Sequence, residues 1–331
     1  MRVSLHKILT KIMLNRRILR IKAFKVLYSS VLADDMTLAH AESQLDMSCE
    51  ATRDLYIYML GIVSPLTAVA RERIEAAKAK FNPTEEELNP NMKFAENALA
   101  DLLDKDPDFS KIFAKKKFSW QQYDLFLKKV MTSVMSKQYY ADYMASETRS
   151  LAEDCKLFIR IFEEEFVDSE DLERILEDKS LYWNDDLAYS LTWCCKTLKS
   201  LAKGERWQLP PLYQSDMMSG EGVESDKLFA RRLLQASFAG FEKYSAMVAD
   251  SVTNWEKERL FSTDVVLIVM GAAEAVTFPS IPVKVTINEY VEIAKFYGTP
   301  KSRSFVNGLL DKIVQKLAEE GRINKSGKGL L

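Results

Sequence analysis

The sequence predicts an all-α protein, because its apolar residues recur at helical spacing and it contains few residues typical of strand turns. In residues 15–31, Leu19, Ala23, Val26 and Leu27 recur three or four positions apart, the spacing of one helix face. The 331 residues include 11 Gly and 9 Pro, too few for the turns of a many-stranded sheet. With 47% hydrophobic and 28% charged residues, the chain can bury one large core or two ordinary ones.

The first predicted helix is amphipathic, and we expect its outer face to be basic. Arg16, Arg20, Lys22 and Lys25 fall largely off its apolar stripe, and the first acidic residue of the chain is Asp34. The whole chain has a formal net charge of -2 and a pI near 6.0. Any nucleic-acid binding therefore needs a local basic patch, since bulk charge would not attract a polyanion.

The middle of the chain continues in helical periods and shows no pattern of a chemical site. A loop is predicted at "FNPTEEELNPN", where prolines and asparagines cluster. The best linker is "LPPLYQSDMMSGEGVESD", residues 209–226, because it combines Pro-Pro, Gly, Ser and acidic residues. Helical periodicity resumes at Lys227.

The cysteine spacing and the length of the apolar runs limit the class of protein to which the chain can belong. Cys49, Cys155, Cys194 and Cys195 show no C-x-x-C spacing, which predicts neither a zinc site nor a disulfide framework. The longest apolar run, residues 265–273, is far shorter than a membrane span, and lysines interrupt the N-terminal apolar stretch. We expect a cytoplasmic protein with no membrane segment, metal or other cofactor.

A polar segment near the C-terminal end predicts two helices joined by a tight basic loop. Thr286 and Glu289 fit a capping box that would begin the first helix, and Gly298 would end it. Ser302 can cap the second helix. Within that second helix, Gly308 suggests a place where another helix approaches closely.

The loop before the second helix is a candidate anion site. Ser302, flanked by Lys301 and Arg303, would stand at a helix N-terminus, where free N–H groups and the helix dipole favour a phosphate. Phe305 could offer its ring to an unstacked base. A solvated loop with Phe305 in the core fits the same pattern, and spacing alone does not decide between the two.

Three blocks of sequence carry a family resemblance. They are "PVKVTINEYVEIAKFYGTPKSRSFVNGLLDKI", "NRRILRIKAFKVLYSSV" and "NWEKERLFSTDVVLIVMGAAEAV". The first resembles the C-terminal signature of the NusB family of bacterial transcription antitermination factors, and the second its arginine-rich first helix. The third is similar to the family's pattern at Trp255, Arg259, Asp264 and Glu274. The resemblance covers residues 15–45 and 228–320 and leaves the middle unmatched.

The resemblance implies a NusB-like fold of two packed three-helix bundles with a large inserted helical region. It divides the chain into an N-terminal part with the basic helix (1–48), an insertion of unknown role (49–225) and a C-terminal part (226–331). It also implies binding of single-stranded boxA RNA together with NusE, a small-subunit ribosomal protein. The two would act in an antitermination complex with RNA polymerase that supports ribosomal RNA transcription.

Carried over by position, the resemblance implies a set of RNA-binding residues. They are Arg16, Arg17, Arg20, Tyr28, Asp264, Lys301, Ser302, Arg303 and Phe305. Ile18 interrupts the arginine run of some relatives. Such a set suits single-stranded RNA, since arginines hold phosphates and aromatic rings stack on bases without any nucleophile. Taken singly, the arginines also fit a solvated face, Tyr28 the rim of a core and Asp264 a helix cap.

Two other classes of function fit parts of the sequence. A NusB-like domain also precedes the catalytic domain of some RNA cytosine methyltransferases, but residues 313–331 contain no glycine-rich loop, so we expect no such catalytic domain here. The chain has two histidines, His6 and His40, and neither neighbours a cysteine in the sequence for which it could act as general base. We therefore expect that the protein is not an enzyme. The other alternative is a protein-interaction scaffold or ribosome-biogenesis factor that does not bind RNA and uses the inserted region.

Overall fold

The structure is a computed structural model, and it describes residues 13–33, 37–213, 225–252 and 262–330. These residues form helices with irregular connections and contain no β-strand, which confirms the all-α prediction. Trp255, Arg259 and most of the predicted linker at 209–226 lie outside the described residues. None of the described helices is both long enough and apolar enough to span a membrane.

The chain divides into two compact units. Unit 1 comprises residues 1–49 and 211–331, and unit 2 comprises residues 50–210. The first boundary falls within one continuous helix, Leu38–Leu60. That unit 2 is an insertion into a NusB-like domain remains a prediction.

The described helices are joined by short connections, apart from the longer ones between α11 and α12 and between α13 and α14. In chain order they are α1 (Arg16–Leu32), α2 (Leu38–Leu60), α3 (Val63–Lys78), α4 (Glu85–Leu88), α5 (Ala98–Lys105), α6 (Pro107–Lys115), α7 (Asp124–Met135), α8 (Gln138–Ala145), α9 (Leu151–Ile161), α10 (Glu170–Lys179), α11 (Leu187–Leu201), α12 (Asp226–Ala239), α13 (Phe241–Asp250), α14 (Thr263–Thr277), α15 (Val283–Tyr297) and α16 (Ser302–Glu319). Short 3-10 turns lie at Gln121–Tyr123, Leu181–Trp183 and Gly327–Leu330, and a π-helical turn at Phe162–Phe166 extends α9.

Helix α14 forms the centre of unit 1. Every residue from Val265 to Ala275 is buried, because this helix is apolar on all sides. Helices α1 and α12 pack on each other and on α14, while α13, α15 and α16 also pack on α14. The apolar run of the sequence is therefore a core helix that two groups of helices share.

Local residues set the starts of helices α1 and α15. Helix α1 begins as predicted, and the Asn15 side chain accepts a hydrogen bond from the Ile18 N–H at 3.0 Å. Helix α15 begins at Val283, so the predicted start at a Thr286–Glu289 capping box is wrong. Pro282 sets the start, since its φ of -61° already suits the first turn and it has no N–H to leave unpaired.

The close helix approach in unit 1 lies at Gly271, and the prediction at Gly308 is wrong. A Cβ added to Gly271 would lie 2.6 Å from Leu310 Cδ2 and 3.2 Å from Tyr290 Cδ2, so these buried side chains would have to shift to admit it. A Cβ at Gly308 would meet no atom within 4 Å. Gly308 lies on the exposed face of α16.

Unit 2 has its own aromatic core. The Tyr58 ring stacks on Trp120 at 4.3 Å between centroids and lies 5.2 Å from Trp183. Trp193 and Trp207 are buried as well. The tryptophans of this region are core residues and not a surface cluster.

Candidate nucleic-acid interface

Two arginines at the start of α1 lie at the surface of unit 1 and form ion pairs. The Arg17 side chain is 51% exposed, and its Nε and Nη2 donate to the two Glu289 carboxylate oxygens at 3.0 and 2.7 Å. Arg16 Nε lies 3.2 Å from Asp226 Oδ1, with its guanidinium 4.7 Å from the Phe229 ring centroid. The hydrogen bond from Arg17 is the main cause that lowers the pKa of Glu289.

The third arginine, Arg20, lies in the core of unit 1. Its guanidinium donates to both Glu274 carboxylate oxygens at 2.7 and 2.8 Å, and the two side chains are 4% and 0% exposed. Glu274 also accepts hydrogen bonds from the Thr286 and Tyr290 hydroxyls at 2.9 and 3.0 Å. Burial alone would lower the pKa of Arg20, but the adjacent Glu274 carboxylate raises it above its ordinary value.

This network changes the interpretation of the basic first helix. Arg20 fastens α1 to α14 and α15 and does not reach the surface on which RNA would lie. Lys22 is buried too. The predicted basic outer face of α1 is therefore wrong at these two positions, and at Arg20 the reason is its ion pair with Glu274 of α14.

Ser302 and Asp264 join the N-terminal ends of α16 and α14. The buried Ser302 Oγ accepts from the Thr299 N–H at 2.8 Å and donates to Asp264 Oδ2 at 2.9 Å. Asp264 does not cap α14, because the Ser262 side chain takes that role. Ser302 is the first residue of α16 and not its cap. The pair fixes the loop from Gly298 to Lys301.

Lys301, Arg303 and Phe305 stand at the start of α16, beside the fixed loop. The two cations are exposed and the Phe305 ring is partly exposed. The pKa of Glu292 on α15 is lowered mainly by a hydrogen bond from Lys295, and also by Arg17 and Arg303. Cations from α1, α15 and α16 therefore all stabilise the charge of this one carboxylate, and Lys295 contacts it directly.

An aromatic row continues this surface along α1 and α15. The Tyr28 ring stacks on Phe24 with centroids 6.0 Å apart, and Phe24 lies 5.4 Å from Tyr297. Lys25 Nζ lies 5.7 Å from the Tyr297 centroid. Next to Tyr297, Phe296 is 80% exposed.

Three residues of this surface, Lys25, Phe296 and Tyr297, were not predicted as site residues from the sequence. The available signal was the Phe-Tyr pair that ends a helix immediately before a basic loop. We name the whole surface the α1–α15–α16 face. Its members are Arg17, Lys25, Tyr28, Phe296, Tyr297, Lys301, Arg303 and Phe305, whereas Arg16 contacts Asp226 and Phe229 of α12 instead.

The α1–α15–α16 face combines positive charge with exposed aromatic rings, the two properties that hold single-stranded nucleic acid. Within the described residues no group of His, Cys, Asp and Glu side chains is arranged to hold a metal ion. The four cysteines are buried, and burial raises the pKa of Cys155 to about 12 and of Cys195 to about 11. The Cys155 and Cys195 thiols are therefore scarcely ionised at neutral pH and are poor nucleophiles.

Comparisons with known proteins place the C-terminal helices in one family. A model of the NusB family matches residues 212–315, which contain α12 to α15 and most of α16. The transcription antitermination protein NusB of Salinibacter ruber is 37% identical over 107 residues, which are 32% of this chain and 67% of that protein. No solved structure matches.

Two further relatives carry the same protein name. The proteins of the same name from Chloroherpeton thalassium and Syntrophotalea carbinolica are 35% and 38% identical over 105 and 103 residues. The matched stretches are 32% and 31% of this chain, and 50% and 64% of those proteins. This chain thus spans between half and two thirds of the length of the curated relatives it matches, and it belongs to the NusB family.

Proposed function

We propose that this protein is a non-enzymatic transcription antitermination factor that binds boxA-like single-stranded RNA through the α1–α15–α16 face. The observation that carries the proposal is the convergence of exposed cations and aromatic rings on helices of unit 1, in a chain of the NusB family. The matched relatives carry the name transcription antitermination protein. The boxA sequence itself comes from the family resemblance.

The chemistry of the face assigns a role to each group. Lys301 and Arg303 would hold phosphates beside the N-terminus of α16, where the helix dipole adds to their charge. The partly exposed Phe305 ring and the row of Tyr28 and Tyr297 would stack on unpaired bases. Ser302, being buried and bonded to Asp264, would position the loop without touching RNA.

The partners follow from the same proposal. RNA would bind together with NusE, the small-subunit ribosomal protein, in a cytoplasmic antitermination complex with RNA polymerase. Arg17 remains half exposed although Glu289 holds it, so it can turn one edge of its guanidinium to a phosphate. Arg20 has no part in this contact.

The test is fluorescence anisotropy of a labelled boxA-like RNA, with and without the cognate NusE. We expect Lys301→Ala/Arg303→Ala to weaken binding roughly tenfold through loss of two phosphate contacts. Phe305→Ala should cost about 1–3 kcal/mol of binding free energy through loss of a stacked base. The matched control is Lys312→Ala/Lys316→Ala, which removes the same charge from exposed positions further along α16.

The control separates a local site from bulk charge. Its RNA affinity should stay within about twofold of the wild type, since these lysines lie roughly 15 Å along the helix from the loop. Equal weakening by both double variants would show that charge alone attracts the RNA. Failure of the wild type to bind boxA-like RNA with NusE present at low salt would refute the proposal.

A further inference from the structure

We propose that unit 2 carries a second site for single-stranded RNA, in a cleft between α6 and the segment that follows α11. This inference rests on the proposed function only in naming RNA as the ligand. It concerns residues of unit 2 that lie outside the match to the NusB family model. The site would give the middle of the chain a role in nucleic-acid binding.

The cleft has a volume of about 500 Å³ and a cationic rim. Lys111 and Lys115 line it from α6, and Arg206 lines it from the segment after α11. All three side chains are exposed. The single acidic residue in the lining, Asp108, lies 3.8 Å from Arg206, at the long end of an ion pair.

The two lysines are placed unfavourably for the isolated protein. They stand four residues apart on α6, so both ammonium groups project from the same helix face and repel each other. Neither forms an ion pair with any residue that the structure describes. An anion between them would relieve that repulsion.

This rim is a local exception to the charge of unit 2. Residues 50–210 contain 23 Lys and Arg against 29 Asp and Glu, whereas the rest of the chain contains 23 against 19. An acidic unit as a whole repels RNA, so a site for phosphates there must be concentrated in one place. The cleft supplies such a place.

The floor of the cleft is apolar and firmly held. Trp207 lies edge-on to Phe109 with centroids 5.3 Å apart, and its Nε1–H donates to the Tyr56 hydroxyl at 3.1 Å. Ile112 and Leu209 complete the apolar lining. A rigid floor of this kind keeps its shape when a ligand enters.

An apolar floor below a cationic rim favours a nucleotide over other anions. A base can lie against the partly exposed Ile112 and Leu209, above the buried Trp207, while its phosphates reach Lys111 and Lys115. A peptide of Asp and Glu alone would use the cations but has no planar apolar group to fill the floor. We therefore assign the cleft to unpaired RNA, without preference for a particular base.

The test is photo-crosslinking of the full chain with a 4-thiouridine-containing oligouridine of about 12 nucleotides, followed by peptide mapping. We expect crosslinks in the peptides that contain α6 and Trp207. The variant Lys111→Ala/Lys115→Ala/Arg206→Ala should lose most of these crosslinks. The matched control Lys156→Ala/Arg174→Ala/Lys199→Ala removes the same charge from exposed positions of unit 2 outside the cleft lining and should keep them.

Each outcome reports on one site. Crosslinks to residues 301–305 with boxA-like RNA test the proposed function, whereas crosslinks to the cleft with oligouridine test this inference, so either can fail alone. Absence of cleft crosslinks in the wild type overturns the inference. It is equally overturned if both triple variants lose the crosslinks to the same degree, or if a polyglutamate peptide of equal charge competes as well as unlabelled oligouridine.

Discussion

Arg17 and Arg20 stand three residues apart on α1, and their surroundings give them opposite roles. Arg17 pairs with Glu289 at the surface, where water screens the interaction. Arg20 pairs with Glu274 inside unit 1, where two charges have lost their water and every remaining oxygen lone pair must find a donor. Arg17 is therefore accessible to a ligand, whereas Arg20 holds three helices together.

The first prediction compares these two arginines. Arg20→Ala should lower the free energy of unfolding of the full chain by about 3–5 kcal/mol, because it leaves the Glu274 carboxylate buried without its cation. Arg17→Ala should lower it by at most about 1 kcal/mol. Urea unfolding followed by circular dichroism measures both. Similar losses for the two variants would contradict the assignment of Arg20 to the core.

The second prediction concerns the stability of the protein at acidic pH. The pKa of Glu289 in the folded protein is lowered from its ordinary value of 4.5 by its hydrogen bond with Arg17. The unfolded state therefore binds this proton more readily, so the carboxylate stabilises the fold above about pH 4.5. That contribution is lost as the pH falls through the lower pKa of the folded state.

The free energy of unfolding of the wild type and of Glu289→Gln is measured by urea unfolding at a series of pH values from about 6 to about 3. Wild type should be the more stable protein at the upper end, and the difference should shrink toward the lower end. Arg17→Ala should flatten the pH dependence in the same way. A difference that stays constant, or grows in acid, would show that Glu289 is not stabilised by Arg17.

At the scale of elements, the packing of α14 on α16 depends on the absence of a side chain at Gly271. The nearest Leu310 carbon would lie 2.6 Å from an added Cβ, far inside van der Waals contact. The same change at Gly308, in the middle of α16, would project into open space. The two glycines thus differ in environment although both lie within helices.

The third prediction uses them as a matched pair. Gly271→Ala should destabilise unit 1 by about 1–3 kcal/mol, because Leu310 and the two helices must shift to admit one methyl group. Gly308→Ala should stabilise it by about 0.5–1 kcal/mol, since alanine loses less backbone freedom in a helix. Thermal unfolding of both variants gives the sign. A stabilising Gly271→Ala would show that α14 and α16 are not in close contact.

At the scale of the whole molecule, charge is divided between the units. Unit 1 carries an excess of cations and unit 2 an excess of carboxylates, although the chain as a whole is nearly neutral. A net charge of -2 therefore says little about RNA binding. The distribution of charge decides it.

The fourth prediction is the salt dependence of boxA-like RNA binding. Three phosphate contacts on the α1–α15–α16 face should give a slope of log affinity against log salt of about -2, because each phosphate on a single strand contributes roughly -0.7. Lys301→Ala/Arg303→Ala should reduce the magnitude of the slope to roughly a third. Anisotropy titrations over a range of KCl concentrations measure it. A slope that this variant leaves unchanged would place the phosphates elsewhere.

The sequence by itself determined the helical class of the protein and the first turn of α1. Both are local properties, because apolar periodicity sets which face of a segment is buried and a cap residue satisfies free N–H groups within its own turn. It also carried the resemblance that the comparisons confirm. The residues of the basic loop could be named on that basis, although their contact with RNA stays a prediction.

Only the tertiary structure decided which charged residues face water. Arg17 and Arg20 look alike in sequence, and the difference lies in Glu274, which is 254 residues away from Arg20 along the chain. In the same way, Gly271 and Thr286 take their roles from Leu310 and Glu274 on other helices. A sequence pattern records the neighbours of a residue along one helix, whereas burial and ion pairing depend on which other helices pack against it.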